Sequence, residues 1–257
     1  MKRNTLQLWD KFWEQNISTE DSTNLVKAEN SIGWQRIEKI ISQKFQIFSN
    51  LNIIELGAGS GTFSAIMAKK GAKVTLLDYS DNAIRTAREL FRRNRLNAEF
   101  IKQDALSLQV DLLNKYDISM SFGLAEHFRG DQRINIIKVH FDVLKKDGIA
   151  FICVPNKYDI PYRVALYIAE HSIPWRTDEE YPFSRKELGK ICQQIGITKY
   201  AFLGSSLFYS LNFFYPFRVM KKMFMLDGNL DTCQIRKERG TFIDQYIAYG
   251  LILYGIK

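Results

Sequence analysis

The fold is set by residues 53–64, which read IIELGAGSGTFS. An apolar run passes there into three glycines, Gly57, Gly59 and Gly61, and one carboxylate, Glu55, lies within the run. Glycine allows the positive φ of a tight turn and lets a ligand approach the backbone without a Cβ in the way. The stretch therefore predicts a strand, a glycine turn and a helix whose free N–H groups face a bound nucleotide.

The glycine spacing alone does not show which nucleotide binds at the turn, and two carboxylates restrict the choice. A dinucleotide site needs a glycine at position 62, where this chain has Thr62, and the Lys followed by Ser or Thr that ends a P-loop is missing. Glu55 would repel a pyrophosphate. Asp78 ends the next apolar run, where a carboxylate accepts hydrogen bonds from ribose hydroxyls. The pattern predicts a positively charged ligand that carries a ribose and no pyrophosphate.

The segments around this turn alternate between short β-rich runs and helix-like stretches. Helices are predicted after the glycine turn, after Ser80 as an N-cap, and over residues 132–148, ending at Gly148. Such alternation is typical of parallel strands joined by right-handed crossovers, which form a doubly wound α/β sheet. The five predicted strands cover residues 52–56, 73–78, 98–104, 116–123 and 148–155.

The remaining sequence predicts one domain over residues 1–257. Residues 1–48 carry apolar positions at helical spacing and form an N-terminal helical segment. Residues 49–155 form the ligand-binding core. Residues 156–257 hold a further helix capped by Ser184, a final pair of strands and two insertions on the side where a second ligand would bind. The first insertion covers residues 156–181 and the second about 209–241.

Five motifs in order resemble the class I S-adenosylmethionine-dependent methyltransferases, in the branch of small-molecule and quinone-type methylases. They are IIELGAGSGTFS, VTLLDYS, IKQDALSL, YDISMSFGLAEHF and LKKDGIAFICVPN. The resemblance covers residues 34–156 well and the last helix and strands more loosely. It implies a Rossmann-like sheet of seven strands, mostly parallel with the last strand antiparallel, and S-adenosyl-L-methionine as the cofactor, with S-adenosyl-L-homocysteine as its product.

The resemblance also implies which residues bind the cofactor. Glu55 and the turn around Gly57, Ala58, Gly59 and Gly61 would hold the methionine part. Asp78 would bind the ribose hydroxyls, and Tyr79 would pack on the adenine. The other implied cofactor-binding residues follow the third and fourth strands: Gln103, Asp104, Ala105, Ser121, Phe122 and Gly123.

Glu126 and His127 are the candidate catalytic residues, because the stretch GLAEHF follows the fourth strand directly. Relatives with an EHF stretch place the His close to the cofactor, and the acid helps to organise the site. A general base assists methyl transfer to a hydroxyl or phenol. The alternative is that both residues only start a helix and position the loop. His140 is expected at the surface or at an interface of a helix.

The composition and net charge of the chain restrict the class of partner but identify no particular one. The formal net charge of +8 favours an anionic partner. The arginines at positions 85, 88 and 92 are expected on a solvated helix face, so nucleic acid is not an expected partner. Cys153, Cys192 and Cys233 show no metal-ligand spacing and indicate reduced thiols in a cytoplasmic protein with no metal site. No stretch is apolar enough to cross a membrane.

The acceptor is expected to be a small or lipid-like molecule that is methylated at O, N or C. The aromatic residues of the first insertion, Tyr158, Tyr162, Trp175 and Tyr181, form either an acceptor pocket or a small core of their own. Residues 207–226 are aromatic and basic, which leaves a peripheral membrane contact open. Alternative functions are RNA or protein methylation, a nicotinamide-dependent oxidoreductase, and a non-catalytic nucleotide binder.

Overall fold

The computed structural model describes residues 6–16, 22–172, 179–205, 209–210, 214 and 241–257. One sheet runs through these residues, and its members in chain order are the strands β1 Asn52–Leu56, β2 Lys73–Asp78, β3 Glu99–Lys102, β4 Tyr116–Phe122, β5 Leu144–Pro155, β6 Lys199–Gly204 and β7 Gly250–Ile256.

The strand order is β3-β2-β1-β4-β5-β7-β6. Strands β1 to β5 pair in parallel, and β7 runs antiparallel between β5 and β6. The order reverses between β1 and β4, so a crevice opens beyond the carboxyl ends of those two strands. The predicted doubly wound, seven-stranded, mostly parallel sheet with an antiparallel last strand is confirmed.

Helices cover both faces of this sheet. In chain order they are α1 Leu6–Asn16, α2 Ser22–Asn30, α3 Ile32–Phe45, α4 Thr62–Lys69, α5 Asp81–Arg93, α6 Gly130–Asp142, α7 Ile160–Ser172, α8 Arg185–Gln194 and the short α9 Asp244–Ile247. As predicted, Ser80 and Ser184 cap α5 and α8, since each hydroxyl accepts a hydrogen bond from a backbone N–H of the first turn.

Two apolar clusters hold the helices to the sheet. On one face Ile37 of α3 and Ile66 of α4 pack with Ile53 of β1. On the other face Ile137 of α6 and Leu188 of α8 pack with Ile54. Successive side chains of a strand point to opposite faces, so one strand serves both clusters. By the same alternation Glu55 lies on the face of Ile53, beneath α4.

The predicted helix over residues 132–148 is wrong in its second half. Helix α6 ends at Asp142, and β5 already begins at Leu144. The carbonyl of Val143 accepts hydrogen bonds from the backbone N–H groups of Lys115 and Tyr116, at 2.9 and 3.1 Å. This pairing with the start of β4 draws the chain into the sheet. The apolar pattern continued across the boundary, so periodicity alone did not show it.

The surface position expected for His140 is also wrong. Its side chain is fully buried in α6, and Nδ1 lies 2.7 Å from the carbonyl oxygen of Ile136. Burial lowers the pKa of this imidazole to about 4, so the ring is neutral at neutral pH and packs as an apolar group. The arginines at positions 85, 88 and 92 are exposed on α5, as predicted.

Both insertions lie partly outside the described residues. In the first, α7 is present, Tyr158 is exposed and Tyr162 is buried, while Trp175 lies outside the described ranges. In the second, the description stops at Ser205 and resumes continuously at Thr241, and residues 209, 210 and 214 are the described positions between them. The aromatic and basic segment at 207–226 therefore falls almost entirely outside the description.

Candidate active site

A cavity of about 380 Å³ lies at the carboxyl ends of β1, β2 and β4. Most of the residues implied as cofactor-binding line it, together with one of the two candidate catalytic residues. These lining residues are Glu55, Gly57, Ala58, Gly59, Asp78, Tyr79, Gln103, Asp104, Ala105, Phe122, Gly123 and His127. Gly61, Ser121 and Glu126 do not line it. Most of the site residues predicted from the sequence therefore lie around one cavity.

Glu55 reaches the cavity from β1 and is 3% exposed. Its Oε2 accepts hydrogen bonds from the backbone N–H and the hydroxyl of Ser64 on α4, at 3.1 and 2.5 Å. Burial raises the pKa of this carboxyl to about 7, and the bonds from Ser64 oppose that shift. Near neutral pH the group is therefore poised to ionise when a cation binds beside it.

Asp78 ends β2 and is held by backbone donors on both oxygens. The N–H of Gly59 donates to Oδ2 and the N–H of Ser80 donates to Oδ1, each at 2.9 Å. Burial raises the pKa of this carboxyl, and these hydrogen bonds oppose the rise. Each carboxylate oxygen can accept more than one hydrogen bond, so Asp78 keeps acceptor capacity for hydroxyl groups in the cavity.

The turn between β1 and α4 needs glycine at both positions that line the cavity. Gly57 and Gly59 have φ values of 62° and 53°. A Cβ at Gly57 would lie 2.6 Å from a methyl of Leu124, and one at Gly59 would lie 2.3 Å from Cζ2 of Trp13. Gly61, with φ of 72°, caps α4 and faces Leu76, which explains its place outside the cavity.

The loop after β3 forms another wall of the cavity. Asp104 is exposed, and its Oδ1 accepts a hydrogen bond from the N–H of Leu106 at 2.8 Å. The Nε2 of Gln103 donates to the Ser107 carbonyl, whereas the buried Oε1 has no hydrogen-bond partner among the described residues. This wall thus offers a carboxylate and an amide oxygen, both of which accept hydrogen bonds.

His127 lies opposite, in a short 3₁₀ turn after β4. Burial lowers the pKa of its imidazole to about 4, against the effect of hydrogen bonds with the backbone of Glu179 and Gly123. Its buried Nδ1 has no hydrogen-bond partner in the described part of the chain. The ring is therefore neutral at pH 7 and can accept a hydrogen bond in the neutral form.

Glu126 points away from the cavity into a separate polar cluster. It is 3% exposed, and Oε2 meets no hydrogen-bond partner within the described ranges. Burial, with Glu180 nearby, raises the pKa of this carboxyl to about 8. The Oη of Tyr162 donates a hydrogen bond to Glu180. Neighbouring positions in the sequence thus place His127 toward the cavity and Glu126 behind it.

Helix α1 contributes two cavity-lining residues that sequence reasoning missed, Trp9 and Trp13. Phe63, which follows the glycine turn, also lines the cavity and stacks on Phe122 with 3.8 Å between ring centroids. The i, i+4 spacing of the two tryptophans places them on one helix face and was the available signal. The packing partner of that face was not visible in the sequence.

The described residues contain no group of three or more His, Cys, Asp or Glu side chains that could hold a metal ion. Among the helices of the described ranges, none is long and apolar enough to cross a membrane.

Residues 53–148 match a family model described as "Methyltransferase domain". Two of the most similar curated relatives are named ubiquinone biosynthesis O-methyltransferase. The protein from Rickettsia typhi is 28% identical over 58% of this chain and 61% of the relative. The protein from Pelagibacter ubique is 27% identical over 65% and 68%. The chain thus spans about three fifths of the length of the first relatives it matches.

Two solved structures share the fold at low identity. A methyltransferase from Thermotoga maritima, described as a possible histamine N-methyltransferase, superposes with a TM-score of 0.64 at 12% identity over 98% of both chains. A magnesium protoporphyrin IX methyltransferase from Synechocystis, solved with S-adenosylhomocysteine, gives a TM-score of 0.56 at 15% identity over 87% of this chain and 82% of the other.

The resemblance in the sequence is confirmed by independent comparisons. The matched model covers β1 to the start of β5, which is the region that builds the glycine turn and its two carboxylates. The curated relatives carry the name ubiquinone biosynthesis O-methyltransferase, and the solved structures share the fold. Residues 53–148 are thus similar to a methyltransferase domain, and the sheet around them has the fold of the solved methyltransferases.

Proposed function

We propose that this chain moves a methyl group from S-adenosyl-L-methionine to a small or lipid-like acceptor by direct displacement, leaving S-adenosyl-L-homocysteine. One observation carries the proposal: two buried carboxylates, Glu55 and Asp78, flank a glycine turn and face the same cavity. This pair suits a ligand with an ammonium group and ribose hydroxyls. It opposes a pyrophosphate, which counts against a nicotinamide-dependent oxidoreductase.

The cavity has donors and acceptors that fit the parts of this cofactor. Glu55 would pair with the amino group of the methionine part beside the backbone of Gly57, Ala58 and Gly59. Asp78 would accept hydrogen bonds from the ribose hydroxyls. On the opposite wall the unpartnered Oε1 of Gln103 and the carboxylate of Asp104 suit the adenine amino group, with Ala105 and Tyr79 beside the ring.

When bound, S-adenosylmethionine supplies an electrophilic methyl group on a sulfonium. The residues of the chain then have to orient the acceptor and exclude water. We assign the first task to His127, because its ring lines the cavity and is neutral, and its unpartnered Nδ1 is able to accept a hydrogen bond. A buried imidazole with a pKa of about 4 is a weak base, so orientation is its main proposed role.

Glu126 supports this arrangement from behind. Its backbone carbonyl accepts a hydrogen bond from the N–H of Tyr181 at 2.8 Å, which ties the loop after β4 to the end of the first insertion. Its carboxyl holds a proton at neutral pH because burial raises its pKa to about 8. We assign Glu126 an organising role in catalysis, and we place Ser121 beside it as a buried support of the same loop.

The acceptor is proposed to be a phenolic hydroxyl on an aromatic ring. The two relatives named above carry names of ubiquinone biosynthesis O-methyltransferases. The cavity is also lined by aromatic side chains, which suit a flat ring: Trp9, Trp13, Phe63, Phe122 and Phe128. RNA and protein acceptors are less favoured, because arginines of α5 are already engaged within the domain: Arg92 pairs with Glu89, and the Arg88 guanidinium lies 4.5 Å from the centre of the Phe100 ring.

Labelled S-adenosylmethionine tests this function directly. The purified chain is incubated with the labelled cofactor and with phenolic, amine and lipid fractions of a cell extract. We expect label to appear in a phenolic fraction with wild type and not with Asp78→Ala. Tight binding of a nicotinamide cofactor, with no binding of S-adenosylhomocysteine, would overturn the proposal. Transfer to RNA or to protein would replace the acceptor assignment.

A membrane surface is the proposed meeting place with a lipid-like acceptor, in a cytoplasmic protein. Helix α7 exposes an apolar stripe, with Ile160 at 73%, Tyr167 at 63% and Ile168 at 45% exposure. The net charge of +8 complements anionic lipid headgroups. We expect the chain to sediment with vesicles that contain anionic lipid, and Tyr167→Ser with Ile168→Ser to reduce that binding. Equal sedimentation of both proteins would reject this surface.

A further inference from the structure

Helix α1 covers part of the cavity, and its residues Trp9 and Trp13 line it. Near the glycine turn, Cζ2 of Trp13 would be 2.3 Å from a Cβ at Gly59, so the indole rests directly on the backbone of the turn. Near the opposite end, the ring of Trp9 meets the ring of His127 edge to face, with 5.0 Å between centroids. One helix therefore contacts both the glycine turn of the proposed cofactor site and the proposed catalytic histidine.

The helix is attached to the rest of the domain through Asp10. Oδ1 of Asp10 accepts a hydrogen bond from the Ser80 hydroxyl and a long one, 3.4 Å, from the N–H of Asn82. The side-chain amide of Asn82 donates to the backbone carbonyl of Asp10 at 2.9 Å. Side chain and backbone of a single residue thus hold α1 to the first turn of α5.

This attachment lies beside the proposed ribose site. Ser80 follows Asp78 by two residues, and its N–H donates to Oδ1 of Asp78 at 2.9 Å. The Ser80 hydroxyl also accepts from the N–H of Ala83 at 3.2 Å, so it caps α5 while it donates to Asp10. A carboxylate at a helix N-terminus is favourable because the free N–H groups there carry partial positive charge.

Apolar packing of α1 is comparatively shallow. Its apolar side chains at positions 8, 9, 12 and 13 are partly exposed, and no side chain described on this helix is fully buried. By contrast, α3 buries Trp34, Ile37 and Ile41 almost completely. An element with few buried contacts opens at a lower free-energy cost than the core does. The polar attachment at Asp10 is therefore a large part of what keeps α1 in place.

We propose that α1 is a cover that closes on the ligands of this cavity, and that Asp10 is the positioning residue that holds it shut through Ser80 and Asn82. The inference rests on the proposed function. A closed cover excludes water from the reacting groups. Its opening is needed for exchange of cofactor and product, so the strength of the Asp10 attachment sets how fast the product leaves.

Three variants test the cover. Asp10→Ala removes the acceptor for Ser80 and Asn82. Asp10→Asn keeps an oxygen of equal reach and should restore part of the effect. Glu14→Gln removes a carboxylate from an exposed position of the same helix and is the matched control. The first readout is amide hydrogen exchange of residues 6–16 in ligand-free protein, and the second is the dissociation rate of S-adenosylhomocysteine after rapid mixing.

We expect Asp10→Ala to exchange amides in α1 about tenfold faster and to release S-adenosylhomocysteine about tenfold faster, the scale for losing hydrogen bonds to a charged group. Asp10→Asn should fall between it and wild type, and Glu14→Gln should match wild type. Exchange is followed in each segment of the ligand-free protein separately. A general loss of fold would therefore appear as faster exchange in β1 and β4 as well as in α1. Asn82→Ala, which removes the bond to the Asp10 carbonyl, provides a milder second variant.

The outcomes separate the two proposals. If wild type binds S-adenosylhomocysteine and Asp10→Ala changes neither the exchange of α1 nor the release rate, the cover is refuted. If wild type binds no S-adenosylhomocysteine, the proposed function fails, and faster exchange of α1 alone in Asp10→Ala still supports the attachment. A kcat that rises while KM for the cofactor also rises would fit a cover that limits product release.

Discussion

The two ends of the cavity treat their buried polar groups differently. At the carboxyl ends of β1 and β2, Glu55 and Asp78 are hydrogen-bonded by donors of their own chain, mostly backbone N–H groups. After β4, by contrast, Ser121 Oγ, Glu126 Oε2 and His127 Nδ1 are buried without hydrogen-bond partners among the described residues. We call Glu55 and Asp78, whose hydrogen bonds are made within the chain, the completed end. We call the residues at and after the end of β4, of which His127 lines the cavity, the incomplete end.

The difference indicates which end depends on a ligand. A buried polar atom without a partner costs about 1–3 kcal/mol, and native structures contain few of them. Backbone donors at the first end hold their carboxylates in place whether or not a ligand is bound. Of the three residues at the incomplete end, His127 is the one that lines the cavity, and an acceptor molecule bound there could supply the hydrogen bond that its Nδ1 lacks. This contrast is what we expect when the cofactor site is fixed by the chain itself and the acceptor site is completed by the bound acceptor.

The largest expected effect tests the completed end. Asp78→Ala removes the proposed acceptor for the ribose hydroxyls and leaves the N–H groups of Gly59 and Ser80 unpaired. We expect S-adenosylmethionine to bind about 100-fold more weakly, or about 3 kcal/mol, measured by titration calorimetry.

The control for this change is Asp81→Ala, which removes an exposed carboxylate at the start of α5 that pairs with Lys102 outside the cavity. Its affinity should stay within about twofold of wild type, since exposed ion pairs contribute little. Equal affinities for wild type and Asp78→Ala would contradict the ribose assignment and remove the distinction between the two ends.

The next effect tests the incomplete end. His127→Ala removes the imidazole that faces the cavity and should lower turnover about 30-fold, or about 2 kcal/mol. Affinity for S-adenosylmethionine should change by about twofold at most, because the completed end is untouched. His127→Gln keeps a hydrogen-bond acceptor and should recover part of the turnover. Wild-type kinetics in His127→Ala would show that this histidine only positions the loop.

The completed end was also the end that could be predicted from the sequence. Its determinants are local: a glycine turn such as Gly57 to Gly61 requires special backbone angles, and Glu55 and Asp78 are fixed by strand ends that periodicity reveals. The prediction of the sheet and of most cavity-lining residues followed from these features. The C-terminal end of helix α6 could not be predicted in this way, because pairing with β4 overrode the local helical pattern before Gly148.

The incomplete end depends on contacts between distant parts of the chain. Trp9 meets His127 across more than a hundred residues, and no spacing in the sequence indicates that contact. Glu126 and His127 are neighbours in sequence, yet only the folded 3₁₀ turn shows that they face different surroundings. The burial of His140 was missed for a similar reason, because a polar residue on a helix gives no sign of its face.

A smaller effect concerns the free energy of unfolding, which should depend on pH through the buried proton on Glu126. Burial raises the pKa of Glu126 from 4.5 to about 8, so the folded state binds this proton more tightly than the unfolded chain does. The resulting stabilisation is complete below pH 4.5 and is lost as the pH rises toward 8. Glu126→Gln has no such proton, so its stability relative to wild type should rise by about 1–2 kcal/mol between pH 6 and pH 8.

Urea unfolding at both pH values measures this difference. Glu14→Gln is again the control, since its carboxylate is exposed and its stability should follow wild type at both pH values. Parallel pH profiles for wild type and Glu126→Gln would show that the carboxyl is satisfied in the folded protein. The contrast between the two ends would then rest on His127 and Ser121 alone.

The smallest expected effect returns to the completed end and concerns the proton on Glu55. Burial raises the pKa of this carboxyl to about 7 in the free protein, and a bound ammonium group would favour its ionised form. Affinity for S-adenosylmethionine should therefore rise about fivefold from pH 6 to pH 7, as the cost of removing the proton falls. Glu55→Gln should bind more weakly and show no rise over that range. A wild-type affinity independent of pH would mean that Glu55 keeps its proton in the complex and serves the turn through Ser64 instead of pairing with the cofactor.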